Sequence, residues 1–303
     1  MDRSDFLEDD AFDAEGDLHP VHPLSFAPNA PVPGKAWKVQ LQPATGQARF
    51  LDPRPGKAAD NLVGVVAFSK GDREEPWDEV FAASFLGNSY DLGHQGLQVR
   101  VEGATCLLPV CTCYQERLAF RNAEAAFHAL KFWRRGKATE FEQLTGAEAE
   151  LQCGHLEHFE DPELAGFGSP FQAMLHVLQA KFARGTNCAA GLLETDPDFL
   201  LHHAWANAWS DGFDGSGPNW LGMALMLVRD ELVAPAGSRP RGEWTQFIEG
   251  CVDINTGKPL TFQSARVWQD MVVSAARAVN KAGASAAEGK KINPSEVAAL
   301  QAP

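Results

Sequence analysis

Hydrophobic positions change period partway along the chain. Leu62-Val63-Gly64-Val65-Val66-Ala67-Phe68 is a β-branched apolar run between turn-rich stretches, and residues 38–42 and 97–101 alternate apolar with polar, so each predicts a strand. Residues 105–110 follow the turn signal Glu102-Gly103 and predict a hairpin partner. After that the period is helical. Phe120, Ala123, Phe127, Leu130 and Arg134 predict one amphipathic helix over about 120–135. Ser169-Pro170 is a helix start, followed by an apolar face of Met174, Leu175, Leu178 and Phe182. Asn219 can cap a helix whose stripe is Leu221, Leu225, Val228 and Leu232. Trp268, Met271, Val272, Ala275 and Val279 share one side of a last helix over about 262–279, and the Ala- and Lys-rich tail from Gly283 should fray. Strands first and helices later predict an α+β fold, mainly helical with a small N-terminal sheet built from hairpins.

Composition narrows this picture. Residues 1–35 join an acidic run to a proline-rich segment without periodicity, which predicts an arm outside the core. Hydrophobic residues at 45% and charged residues at 22% fit a globular protein with a core. A net charge of −14 disfavours a protein that grips long nucleic acid or anionic lipid through its whole surface, although one basic pocket suffices for a single nucleotide. The opening MDRSDFLEDD lacks the apolar core of a secretory leader, and no apolar run reaches bilayer length. The expectation is a soluble intracellular protein, cytoplasmic or nuclear, with no membrane partner. Its six cysteines are then reduced thiols rather than a disulfide scaffold. Cys106, Cys111 and Cys113 lack a paired partner motif for zinc, and Cys153, His155 and His158 have no standard ligand spacing. No metal and no cofactor are expected.

Two segments carry candidate chemistry. On the helix beginning near Asn122, the 100° step places Glu124, His128 and Lys131 within one narrow face beside the apolar Phe127 and Leu130. A row of charges at this spacing is also what an ordinary solvated face looks like. The second segment, residues 205–222, is a Gly-rich loop running into a helix start, where backbone N–H groups and the helix dipole can meet a phosphate. Its glycine spacing is not that of a dinucleotide fingerprint. Trp209 and Trp220 in that loop offer flat rings to a base or sugar. His202-His203 reads as structural at a strand or helix end, and Lys181-Phe182 as packing plus a surface charge.

Taken in order, these pieces resemble the NADAR (YbiA-like) family. Residues 85–90, Phe-Leu-Gly-Asn-Ser-Tyr, are similar to its FLSNFY-type turn, and 122–132 to its TxEHxYQAxKF helix. Residues 174–182 resemble the helix ending in AKF, and Trp209-Ser210-Asp211-Gly212 with Asn219, Leu221-Gly222, Leu225-Met226 and Arg229 resembles the closing WGDG, N-x-LG, LM and R pattern. The likeness covers about 80–235 and implies four stretches: an arm (1–35), a β extension (36–79), the family-like domain (80–235) and a C-terminal helical extension (236–303). It implies an N-glycosidase acting on ADP-ribosyl-guanine or on a phosphorylated riboflavin-pathway intermediate. Glu124 would be the acid/base and Lys131 the amine of a covalent imine, with Phe85, Asn88, His128, Trp209, Asp211, Gly212 and Asn219 lining the site. The partner implied is an ADP-ribose-like nucleotide, free or carried on nucleic acid. A carboxyl can move the needed proton and a desolvated lysine can form the Schiff base. Where the family has Glu-His this chain has Glu124-Ala125, and Trp209-Ser210 replaces Trp-Gly. Those departures leave a second reading, a catalytically altered nucleotide-binding module.

Overall fold

The computed structural model describes residues 41–71, 75–93, 96–102, 116–205, 208–235 and 242–291. The arm at 1–35, most of the alternating stretch at 38–42, the strand expected at 105–110, and Cys106, Cys111 and Cys113 lie outside them.

The fold is α+β, mainly helical with small sheets. The apolar run forms β2 (Leu62–Phe68), the middle strand of a three-stranded sheet. On one side it pairs antiparallel with β1 (Ala48–Leu51), with Ala48 opposite Val65 and Leu51 opposite Leu62. On the other it pairs in parallel with β5 (Phe199–His202), with Phe68 opposite His202. This second pairing corrects the all-hairpin sheet: parallel neighbours need a long crossover, and among the described residues five α-helices lie between the two strands in sequence. β3 (Leu97–Arg100) pairs antiparallel with β4 (Arg117–Phe120) as a separate ladder.

The helix expected over 120–135 is shorter. α2 (Ala123–Leu130) starts after Asn122, whose side chain accepts the N–H of Ala125 at 2.8 Å, so Phe120 ends β4 instead. Ser169 caps α4 (Pro170–Lys181) by accepting the Gln172 N–H at 3.1 Å, as its sequence signal predicts. α6 (Trp220–Val233) is buried on nearly every side from Leu221 to Asp230. α8 (Phe262–Lys291) runs about three turns beyond the expected 279, with Trp268, Met271, Val272, Ala275 and Val279 all buried. Four helices had no assigned signal: α1 (Pro76–Phe81), α3 (Gly146–His155), α5 (Asn187–Leu193) and α7 (Glu243–Cys251). A short pair, β6 (Val252–Asp253) and β7 (Lys258–Pro259), joins α7 to α8.

One hydrophobic core runs from β1 and β2 through α2, α4 and α6 to α8. Strands from the 36–79 and 80–235 stretches therefore share a sheet, and α8 packs on that same sheet. Among the described residues no helix is long and apolar enough to cross a membrane.

Candidate active site

Glu124 is the second residue of α2, where the positive end of the helix favours a carboxylate. Its backbone N–H donates to the Asn88 carbonyl at 3.0 Å, which ties the helix start to the turn at 84–90. The carboxylate is only 13% exposed. Lys70, just past the end of β2, brings its ammonium to 3.6 Å from Glu124 and to 2.7 Å from Glu150. His128, one turn along α2, brings Nε2 to 3.4 Å from Glu124. Burial pushes the Glu124 carboxyl upward, but the His128 ring, the Lys70 ammonium and the Asn88 amide more than offset it and hold it below the usual value.

A depressed carboxyl links stability to pH in one direction. The contribution of ionised Glu124 is complete above its ordinary value of 4.5 and is lost as pH falls through the lower folded value. Denaturant unfolding should therefore show a stability gap between wild type and Glu124→Gln that is flat above pH 4.5 and shrinks below it. A gap that widens on acidification would mean that the carboxyl is protonated at rest.

Around this carboxylate, buried polar atoms stand without hydrogen-bond partners: Asn88 Oδ1, both ring nitrogens of His128, and His202 Nε2. The 3.4 Å approach of His128 to Glu124 is thus electrostatic rather than a well-aligned hydrogen bond. His202 closes β5 and stacks on Phe68 at 5.3 Å; its Nδ1 faces the Trp209 carbonyl at 3.0 Å and so carries the ring proton. That leaves Nε2 as a bare acceptor, and burial lowers the basicity of the ring, which keeps it neutral. Burying polar atoms without partners is costly, and ordered water or a polar ligand is the ordinary remedy. An aromatic wall adjoins them. Trp209 meets Phe127 and Trp220 edge-on, each at 5.5 Å between ring centres.

The other expected residues fall in different places. Lys131 ends α2, only 24% exposed, with Nζ 3.3 Å from Glu160 and 3.4 Å from Cys153 Sγ. It does not ion-pair with Glu124. Phe85 is buried in the core against Gly191, where a Cβ would come within 2.9 Å of its ring. Asp211 and Asn219 are fully buried and Gly212 half-buried. Asn219 stands before α6 in the left-handed conformation (φ 56) and makes no side-chain cap. It instead donates to the Leu200 carbonyl at 2.9 Å and accepts the His202 N–H at 2.9 Å, which locks β5 to the start of α6. Lys181 corrects the surface-charge reading. It is fully buried and donates to the Gly87 carbonyl at 2.7 Å, with its pKa lowered by desolvation to about 8. Among the described residues no carboxylate lies at ion-pair distance from it, and the rings of Phe182 and Tyr90 flank it.

Sequence spacing gives no sign of Lys70 and Glu150 beside Glu124, and His202, which reads as structural in the sequence, joins them there. The ligand atoms of Cys153, His155 and His158 do not converge. Among the described residues, the group whose ligand atoms lie within 4.8 Å of one another is Glu124, His128 and Glu150. The Lys70 ammonium already bridges the two carboxylates there. Cys153, Cys188 and Cys251 are free thiols.

No family model matches the chain. A stretch of 98 residues is 42% identical to a riboflavin biosynthesis protein of Vibrio vulnificus, covering 29% of this chain and 27% of that protein. A stretch of 62 residues is 42% identical to the N-glycosidase YbiA of Escherichia coli, covering 20% of this chain and 39% of that enzyme; the Shigella boydii enzyme matches equally. The matches thus span well under half the length of these curated relatives. The NMR structure of the Escherichia coli protein YbiA aligns with a TM-score of 0.40 and 22% identity, over 55% of this chain and 84% of that one.

Proposed function

We propose that the chain, which is similar over part of its length to YbiA-like N-glycosidases (the NADAR family), hydrolyses the N-glycosidic bond of a small ribosyl nucleotide, either ADP-ribosyl-guanine or a phosphorylated riboflavin-pathway intermediate. The observation that carries this reading is the ionised, enclosed Glu124 surrounded by the unpartnered polar atoms of Asn88, His128 and His202. A ribose with its hydroxyl groups would satisfy those atoms, and the Trp209–Phe127 wall would take the face of a base. Being ionised at rest, Glu124 serves first as the base. It takes the proton of the attacking nucleophile and then passes it to the departing nitrogen of the base as the C1–N bond breaks.

Two amines are candidates for an imine at C1. By resemblance the role belongs to Lys131, which must first leave Glu160. By distance it belongs to Lys70, already 3.6 Å from the Glu124 carboxylate, which can take its ammonium proton. Incubation with ADP-ribose and borohydride should trap a secondary amine, and peptide mapping should find it on Lys70. An adduct on Lys131 would return the role to that residue, and full activity without any adduct would leave water as the nucleophile. The reaction itself is tested by base release from ADP-ribosylated guanosine and from the riboflavin intermediate. Calorimetric binding of ADP-ribose without base release from either would favour the second reading, a nucleotide-binding module, which the pairing of Lys131 with Glu160 supports.

A further inference from the structure

The glycine-rich loop after Asp211 contains Gly212, Gly215 and Gly217, and left to itself would sample many conformations. α8 removes that freedom with side-chain bonds to the loop's carbonyls. Trp268 Nε1 donates to Pro218 at 2.7 Å, Gln269 Nε2 donates to Gly215 and, at 3.2 Å, to Gly217, and Asn280 Nδ2 donates to Phe213 at 2.8 Å. The helix also lies close against the loop. A Cβ on Gly215, whose φ is +86, would stand 2.4 Å from Val273 Cα.

Asn280 reaches further. With its amide nitrogen on the Phe213 carbonyl, its Oδ1 faces His203 Nε2 at 3.2 Å, and the other side of that ring meets Asp211 Oδ2 at 2.7 Å. Asp211 Oδ1 accepts the N–H groups of Phe213 and Ala204 at 3.0 and 3.3 Å. Both oxygens of Asp211 are therefore engaged inward, and the residue holds the loop rather than reaching a ligand.

We propose that α8 belongs to the framework of the nucleotide site: Trp268, Gln269 and Asn280 are positioning residues that hold loop 211–218 in the conformation presenting Gly212 to the ligand beside the Trp209 ring. The proposal rests on the nucleotide-site reading above. A loop ordered in advance costs the ligand less to bind, so the clamp acts on affinity, while Glu124 lies outside all of these bonds.

The test is the full chain carrying Gln269→Ala and Asn280→Ala together. Hydrogen exchange of the amides at 211–219 should quicken about tenfold, with α2 and α4 unchanged. KM for the nucleotide should rise about tenfold while kcat stays within about twofold. Unchanged loop exchange with α8 intact would overturn the proposal, and so would a fall in kcat at constant KM. If the wild type turns over no nucleotide, the functional reading fails while the exchange measurement still decides the clamp. If the double variant unfolds, Asn280→Ala alone decides it, since that position is exposed and its loss should quicken exchange at 211–214.

Discussion

Glu124→Gln is expected to lower kcat for base release about a thousandfold while KM changes little. The amide matches the carboxylate in size, so the packing of α2 against the Asn88 turn is kept. What disappears is the charge that attracts Lys70 and His128 and the oxygen that carries a proton from nucleophile to leaving base. The pH profile gives an independent reading. A carboxyl held below 4.5 places the acid limb of wild-type kcat/KM below that pH, and the limb should vanish in the variant. Turnover within about threefold of wild type would move the proton-handling step away from α2 altogether. Loss of turnover with a matching loss of nucleotide binding would mark Glu124 as a ligand contact only.

Much of this site was legible in one dimension, and what escaped was brought together by the sheet. The α2 face carrying Glu124 and His128 follows from helical spacing alone, and Asn122 fixes its start by capping. Phe120 fits the helical spacing yet ends β4, because an aromatic at that spacing suits either element; the cap residue Asn122 after it is the stronger signal. The strand β5 escaped because Phe199, Leu200, Leu201 and His202 are all buried, so no alternation marks them. Without β5 beside β2, nothing in the sequence brings His202 near Lys70 and Glu124. Asn219 stands before α6 as the sequence predicts, but it does not cap the helix: its left-handed backbone turns the side chain toward β5 instead of the helix N–H groups. Lys131 illustrates the opposite limit. Its place on the helix face was legible, whereas its partner Glu160 follows a chain turn beyond α3 that spacing does not report.

Arg229→Ala should destabilise the fold by about 3–5 kcal/mol, the largest stability effect expected of a single change outside the apolar core. Arg229 is fully buried on α6, and its NH1 donates to the Thr195 carbonyl at 2.9 Å and to Thr195 Oγ1 at 2.7 Å. Its NH2 donates to the Asp198 carbonyl at 2.9 Å, so one guanidinium ties down the turn that delivers the chain into β5. Desolvation lowers its pKa to about 10, still far above neutrality, so the charge persists and is balanced by the Asp196 carboxylate at 3.6 Å and by those carbonyl dipoles. Alanine removes the donors and strands the buried carbonyls of Thr195 and Asp198, which no solvent reaches to repair. Because the same turn leads through β5 to His202, nucleotide binding should weaken in whatever fraction of the variant stays folded. Urea unfolding at neutral pH measures the loss. A change under about 1 kcal/mol would show that the turn at 195–198 keeps its shape without the guanidinium, and that β5 is placed by its apolar contacts alone.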